Sequence, residues 1–261
     1  MMENKVVTKK VLERAGISVP GGYEYTSPEA GMADYRLYAG KPVVIKPKST
    51  NFGLGITILK HNYDETDFKA ALQIAFEHDN TVLIEKFIPG REFRIFIIND
   101  EVVGILHRVP ANVTGDGVLN IGQLIDRKNE DPLRGKGYRT PLEKIRKGRE
   151  EEMFLKQQGM DFNTVPKERE VVYLRENSNI STGGDSIDFT DDIDDSYKAI
   201  AVEAAKALNV KITGLDMMIQ DIHAPATPDN YAIIEMNFNP AIHIHCYPFK
   251  GKNRHLNHKM I

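Results

Sequence analysis

Two apolar runs, FRIFII (93–98) and VVGIL (102–106), are separated only by Asn99-Asp100-Glu101. So short a gap closes a hairpin and leaves no room for the roughly dozen residues of a crossover to a parallel neighbour. The centre of the chain must therefore hold an antiparallel pair. Further runs rich in β-branched residues read as strands: PVVIKPKS (42–49), GITIL (55–59), TVLIEKF (81–87), VVYLR (171–175), ITGLDMMI (212–219) and YAIIEM (231–236). Between them lie helical patterns. Residues 4–15 form one, stopped by Gly16 with Pro20 beyond. Phe68, Ala71, Leu72, Ala75 and Phe76 share a helical face behind a capping Asp64. A short helix is expected over 120–129, and Ile200, Ala204 and Leu208 mark another. Thr140, Pro141 and Glu143 read as a capping box with proline at the first helical position, which predicts a helix to about Gln158. Helices mixed with hairpin-linked strands give an α+β class, not a doubly wound one.

The 261 residues can bury a real core, as one large domain or two lobes. A charged fraction of 27% beside 41% apolar residues argues against disorder. The formal net charge of -3 gives no basic excess to attract a phosphate backbone, so a nucleic-acid partner is not expected. A single cysteine excludes an intramolecular disulfide. The opening MMENKVVTKK lacks the apolar core of a signal peptide, and no run has the length to cross a bilayer. The expected setting is the cytoplasm, with no membrane.

Nothing matches GxxxxGK[ST], and Ile58 stands where a dinucleotide fingerprint needs its third small residue. KPKSTNFGLGI (46–56) instead puts Lys46 at a strand end before a glycine-bearing turn. Such a tip can fold over phosphates; a plain hairpin with a solvated lysine accounts for it equally. Asp216 lies inside one apolar strand, and Glu235 and Asn237 end the next. Residues two apart on a strand share a face, so antiparallel pairing of the two strands would bring all three together. Hard oxygen donors of this kind suit Mg²⁺ (or Mn²⁺), which completes its shell from water and phosphate. The alternative is a satisfied structural acid. His243, His245 and Cys246 supply at most three softer ligands, with no CxxC or HExxH to complete a zinc site. A substrate-facing or packed role is expected for the histidines.

Together these segments resemble the ATP-grasp ligases nearly end to end. NKVVTKKVLERAGISVP is similar to the family's opening segment, whose phosphate-binding lysine falls on Lys5. VVIKPKSTNFGLGI resembles the second lysine strand and its flexible loop, giving Lys46, Gly53 and Gly55. LIEKFIPGREF looks like the inter-lobe hinge, where Glu85 and the backbone of Lys86 and Ile88 would meet adenine and Glu92 the ribose. Asp216, Glu235 and Asn237 fall on the magnesium triad. The resemblance implies two α+β lobes gripping ATP between antiparallel sheets: a small lobe over 1–87 and a large lobe over 88–261.

RVPANVTGDG, DPLRGKGYRTPLEKI and LRENSNISTGGDSIDFTDDI resemble both cyanophycin synthetases and the C-terminal synthetase module of bifunctional glutathione-forming enzymes; NFNPAIHIHCYPFKGKNR looks like the latter. The implied reaction phosphorylates a carboxylate and lets an amine displace the phosphate, with γ-glutamylcysteine and glycine as the pair. Cyanophycin-type ligation and a non-catalytic ATP-binding module are the alternatives. Arg175 is the candidate for the transferring phosphoryl group and Arg108 a second; a surface ion pair would explain either. Asn179, Ser181 and Gly183 would cradle the carboxylate or the oxyanion. His243 would face substrate, and Arg139 would sit in a basic lid over 132–150, a stretch that also reads as a solvated helix face. The six aspartates between 185 and 195 read as a solvated loop and helix cap. The match begins almost at Lys5, so groups from an N-terminal ligase domain are expected to lie outside this chain. A homodimer is left open.

Overall fold

The computed structural model describes residues 5–49, 54–60 and 62–259. From the N-terminal side, α1 (Lys5–Arg14) leads through β1 (Gly22–Tyr25), α2 (Pro28–Ala33), α3 (Tyr35–Tyr38), β2 (Val43–Pro47), β3 (Thr57–Leu59) and α4 (Glu65–Phe76) to β4 (Val82–Lys86). The middle comprises β5 (Arg91–Ile98), β6 (Glu101–Val109), β7 (Asn112–Thr114), α5 (Ile121–Lys128), β8 (Arg134–Gly135), β9 (Leu142–Glu143), α6 (Arg149–Gln157), β10 (Val171–Tyr173) and β11 (Asp185–Asp188). The remainder is α7 (Asp195–Ala207), β12 (Ile212–Ile219), β13 (Tyr231–Asn237), α8 (His243–Cys246) and α9 (Leu256–Lys259). None of the helices among the described residues is long and apolar enough to cross a membrane.

Two compact units emerge, and each draws on two stretches of chain. The first takes the described residues up to Arg91 together with Asp194–Phe238; the second takes Glu92–Ile193 and the residues from Asn239 on. A single division between 87 and 88 differs from this, because 194–238 groups with the N-terminal stretch. Backbone bonding gives the reason: Ile233 of β13 donates its N–H to Ser18 O at 2.9 Å, stitching the segment after α1 to that strand.

In the first unit β1, β4, β2 and β3 form an antiparallel sheet in that order. Burial alternates cleanly along β2. Val43, Ile45, Val82 and Ile84 bury one face against Phe68, Ala71, Leu72 and Ala75 of α4. Removing these side chains from water is the main favourable term holding the layers together. Asp64 caps α4 by accepting the N–H groups of Thr66 and Asp67. β12 and β13 form a second antiparallel pair, packed by α1 and α7.

In the second unit β5 and β6 make the expected hairpin. Asn99 and Asp100 carry φ of 47° and 67°, the left-handed pair that a two-residue turn of matching twist requires. β11 adds antiparallel to β6. A separate core gathers Val113, Ile121, Leu124, Ile125, Leu155 and Val172 around α5, α6 and the β7–β10 pair. α5 starts where expected, with Asn120 and Gln123 each accepting the other's backbone N–H.

One predicted helix starts late. Thr140-Pro141 does not cap a helix; Leu142 and Glu143 form β9, parallel to β8, and α6 begins only after Gly148. The residues of the apparent box serve the preceding turn. Thr140 Oγ1 donates to Leu142 O, and the Glu143 carboxylate accepts Gly137 N–H. Glu151 accepts Gly148 N–H at 2.9 Å and is the working half of the true N-terminal box. The aspartate-rich stretch is also not simply solvated. Asp194 caps α7 as expected, but Asp185 and Asp188 are buried and ion-paired.

Candidate functional site

The register of the first sheet decides what its other face displays. Val44 stands opposite Glu85 and Lys46 opposite Leu83, so Lys46 and Glu85 are diagonal neighbours on one face while Ile45 and Ile84 point into the core. Lys46 Nζ lies 2.8 Å from Glu85 Oε2. Lys9 of α1 reaches the other oxygen of the same carboxylate. Glu85 is only 4% exposed, so the acid needs these partners. Burial pushes its carboxyl up, but the charges and hydrogen bonds of Lys46 and Lys9 outweigh burial and hold it below the ordinary value. Lys9 goes the other way: burial, with the neighbouring charge of Lys46, brings it down to about 8. One carboxylate shared by two ammonium groups stays ionised while the Lys9 ammonium is eased toward neutrality.

Asp216 and Glu235 are direct partners across β12 and β13, and a bulge follows Asp216. Asn237 lies two residues beyond Glu235 on the same strand, opposite Gly214. All three side chains therefore project from one face, as the alternation argument requires. Asp216 is buried at 2% exposure. Lys5, the first residue of α1, places Nζ 3.6 Å from Glu235 Oε1. Thr213 Oγ1 donates to Asn237 O at 2.9 Å and fixes that strand end. The Asn237 side-chain nitrogen is buried without a hydrogen-bond partner among the described residues. An orphaned amide beside two carboxylates is what a donor set for a hard cation presents, because the amide oxygen can turn toward the ion. No cluster of three His, Cys, Asp or Glu side chains exists among the described residues. Two carboxylates and an amide are hard oxygen donors of the kind that Mg²⁺ or Mn²⁺ accepts.

The hinge residues are partly committed elsewhere. Lys86, exposed at the end of β4, donates its N–H to Gly21 O at 2.8 Å; Ile88 is half-buried just beyond. Gly55 has φ 73°, and an added Cβ would come 2.7 Å from Pro47, so this turn demands glycine. Gly53 lies outside the described residues.

In the second unit Glu92 pairs with Arg108 and accepts Ser178 Oγ at 2.9 Å. Arg175 donates Nε to buried Glu151 at 2.6 Å and pairs through Nη2 with exposed Glu150. Asn179 opens a turn of 3₁₀ helix (Ile180–Thr182) that holds Ser181, and Asn179 O accepts the N–H groups of Thr182 and Gly184. Gly183 closes it at φ 94°, with room for no Cβ because Ile145 Cα would lie 2.8 Å away. Arg139 is exposed in the loop between β8 and β9. His243 is exposed at the start of α8. His245 is wholly buried, edge-on to Phe96, and neither ring nitrogen has a hydrogen-bond partner among the described residues. Burial, aided by the charge of Arg94, lowers its pKa to about 3.

Two features escape a reading by motif. Lys9 had a signal, since four residues after Lys5 means the same helix face. Arg134 had none. It sits in the basic stretch that reads as solvated, yet its side chain is fully buried. It pairs with Asp185 and donates to Glu143 O at 2.8 Å and Gly183 O at 3.0 Å. Lys128 joins the same carboxylate at 2.7 Å.

The chain resembles known proteins along its whole length. The family model of the D-ala D-ala ligase C-terminus matches residues 24–120. A glutathione biosynthesis bifunctional protein from Desulfotalea psychrophila is 62% identical over 260 residues, covering 100% of this chain and 33% of that protein. Its counterpart from Clostridium perfringens is 55% identical over 261 residues, covering 100% and 34%. The chain thus spans about a third of the length of the curated relatives it matches. A bifunctional glutathione synthetase from Pasteurella multocida, solved by crystallography, superposes with a TM-score of 0.75 at 49% identity, over 99% of this chain and 36% of that one. D-alanine–D-alanine ligase from Bacillus anthracis shares the fold alone, with a TM-score of 0.54 at 20% identity over 92% of this chain and 58% of that one. The chain thus shares the α+β fold of the ATP-grasp ligases and is similar in sequence to about a third of the length of the bifunctional glutathione biosynthesis proteins.

Proposed function

We propose that this chain is an ATP-dependent carboxylate–amine ligase that joins γ-glutamylcysteine to glycine. The observation that carries the reading is the register of Asp216 against Glu235 with Asn237 two residues on, next to the Lys5 ammonium. A buried acid aligned with a second acid and an unpartnered amide is costly as pure structure and useful around a cation that grips phosphate. The kinship with proteins named for glutathione biosynthesis supports the choice of substrates.

Asp216, Glu235 and Asn237 would hold Mg²⁺ or Mn²⁺, which supplies charge neutralisation at the phosphates. Lys5 and Lys46 would hold the phosphate oxygens. A carboxylate oxygen of γ-glutamylcysteine attacks the γ-phosphorus, the bond to the bridging oxygen breaks, and ADP departs. The glycine amine then attacks the acyl carbon, phosphate leaves, and the amine loses a proton. Positioning and charge do most of the work in such a transfer. We assign Arg175, aligned by Glu151, to the phosphoryl charge and Arg108 to a supporting place. Glu85, Glu92 and the 86–88 backbone are assigned to the nucleoside, the 179–183 turn to the carboxylate, and Arg139 and His243 to substrate. The γ-glutamylcysteine would come from a ligase domain outside this chain, and the setting is taken as cytoplasmic.

The test is ADP release with γ-glutamylcysteine and glycine, with aspartate and arginine as the competing amines. ADP release that needs both the dipeptide and glycine is expected, and Glu235→Gln should lower it by roughly a hundredfold or more without a change in melting temperature. Release that favours arginine, or an unimpaired Glu235→Gln enzyme, overturns the proposal.

A further inference from the structure

Glu85 holds one ammonium more than it needs. A buried carboxylate requires a counter-charge, yet two lysines converge on it from separate elements: Lys9 from α1 and Lys46 from β2. Neither lysine has a second hydrogen-bond partner among the described residues. Lys46 sits one residue before the end of β2, where the chain leaves the sheet. Lys9 is in the middle of a helix, beside Thr8 and Leu12 in the pocket they share with Lys5 and Glu235. One lysine stands near the end of a strand, and the other in mid-helix.

We propose that Lys9 is the standby counter-ion of Glu85: it keeps the acid neutralised when Lys46 turns from Glu85 to a nucleotide phosphate. The idea rests on the assignment of Lys46 to phosphate made above. Lys9 is then a positioning residue that sets nucleotide affinity without touching the nucleotide. Without it, releasing Lys46 would strand a buried carboxylate, and the cost would appear as weaker binding. The charges that act on Lys9 are Glu13 on its own helix, Lys46 on β2 and Glu85 on β4, while Lys5 of α1 and Glu235 of β13 line the same pocket. Burial first, then Lys46, press the Lys9 ammonium toward deprotonation. Moving Lys46 away lifts the second pressure, so nucleotide binding takes up protons above about pH 8 and affinity falls as pH rises through that range.

Calorimetric titration of the full chain with a non-hydrolysable ATP analogue tests this, using Lys9→Met, Lys9→Arg, Glu85→Gln and the double variant Lys9→Met/Glu85→Gln. Lys9→Met should weaken binding roughly tenfold and flatten the fall above pH 8, with Lys9→Arg recovering most of the affinity. In the Glu85→Gln background the same substitution should cost less than about twofold, because no charge is left to neutralise. Lys9→Gln replaces Lys9→Met if the latter does not fold. Unchanged affinity in Lys9→Met overturns the proposal. So does a loss that persists undiminished beside Glu85→Gln, since Lys9 would then only add positive potential. Lys46→Met is the control: binding that survives it refutes the phosphate assignment itself, a failure distinct from that of Lys9.

Discussion

Glu85 and Asp185 are equally buried, at 4% exposure, and each lies between two cations. Around Asp185 the cations are tied in many ways. Arg134 also bonds two backbone carbonyls, and Lys128 bonds the carbonyl and side-chain oxygen of Asn112. The Asn112 amide donates to Asp185, and the Phe249 ring faces both cations. Around Glu85 the lysines have no hydrogen-bond partner but the carboxylate among the described residues. Cations bound to main chain cannot leave without unmaking the fold, whereas cations bound only to a side chain can exchange it for another anion. The same charge arithmetic makes a keystone in one unit and a movable set in the other.

Substitution should separate them. Arg134→Met is expected to have the largest effect on stability, a loss of about 3–5 kcal/mol, since it strips a fully buried partner from Asp185. Lys46→Met should cost less than about 1 kcal/mol, because Lys9 still neutralises Glu85. Urea denaturation of both variants decides; similar losses would erase the contrast.

Gly183→Ala comes next, at about 1–3 kcal/mol, because it combines a left-handed backbone with a clash against Ile145. An unchanged urea midpoint would mean that the turn before Asp185 can relax, and that this unit is looser than its hydrogen bonds suggest.

The smallest effect concerns acid. Burial raises the Asp188 carboxyl, but bonds from Arg254 and Thr190 more than reverse this and hold it below the ordinary 3.8. A depressed acid contributes its full stability above that ordinary value and loses it as pH falls through the folded one. Wild-type protein should therefore lose more stability than Arg254→Gln as the pH falls from about 5 to below the ordinary carboxyl value, with Asp191 on the same arginine adding to the difference. Parallel acid-melting curves for the two would show that Asp188 does not need its arginine.

Much of this was legible in the residues because the code was local. Apolar β-branched runs marked the strands, Asn99-Asp100 marked the hairpin, and two-residue spacing put Glu235 and Asn237 on one face. The misreadings share a different cause. Thr140, Pro141 and Glu143 carry a helix-start pattern whose side chains are consumed by the turn before them. Asp185 and Arg134 look solvated because charge suggests water, and their pairing joins residues 51 apart in sequence. Glu85 was visible as a hinge acid, but only the sheet register and α1 together reveal that two lysines share it.

The bare imidazole of His245 has a practical corollary. A ring that stays uncharged down to about pH 3 does not change its charge across neutral and mildly acidic buffers. In a proton-carbon spectrum its resonance should stand still across neutral and mildly acidic buffers, held by Phe96 and the adjoining Gly104 backbone. It is a built-in reference line against which displacement of the buried α8 segment would register as a change in frequency and not as a change in charge.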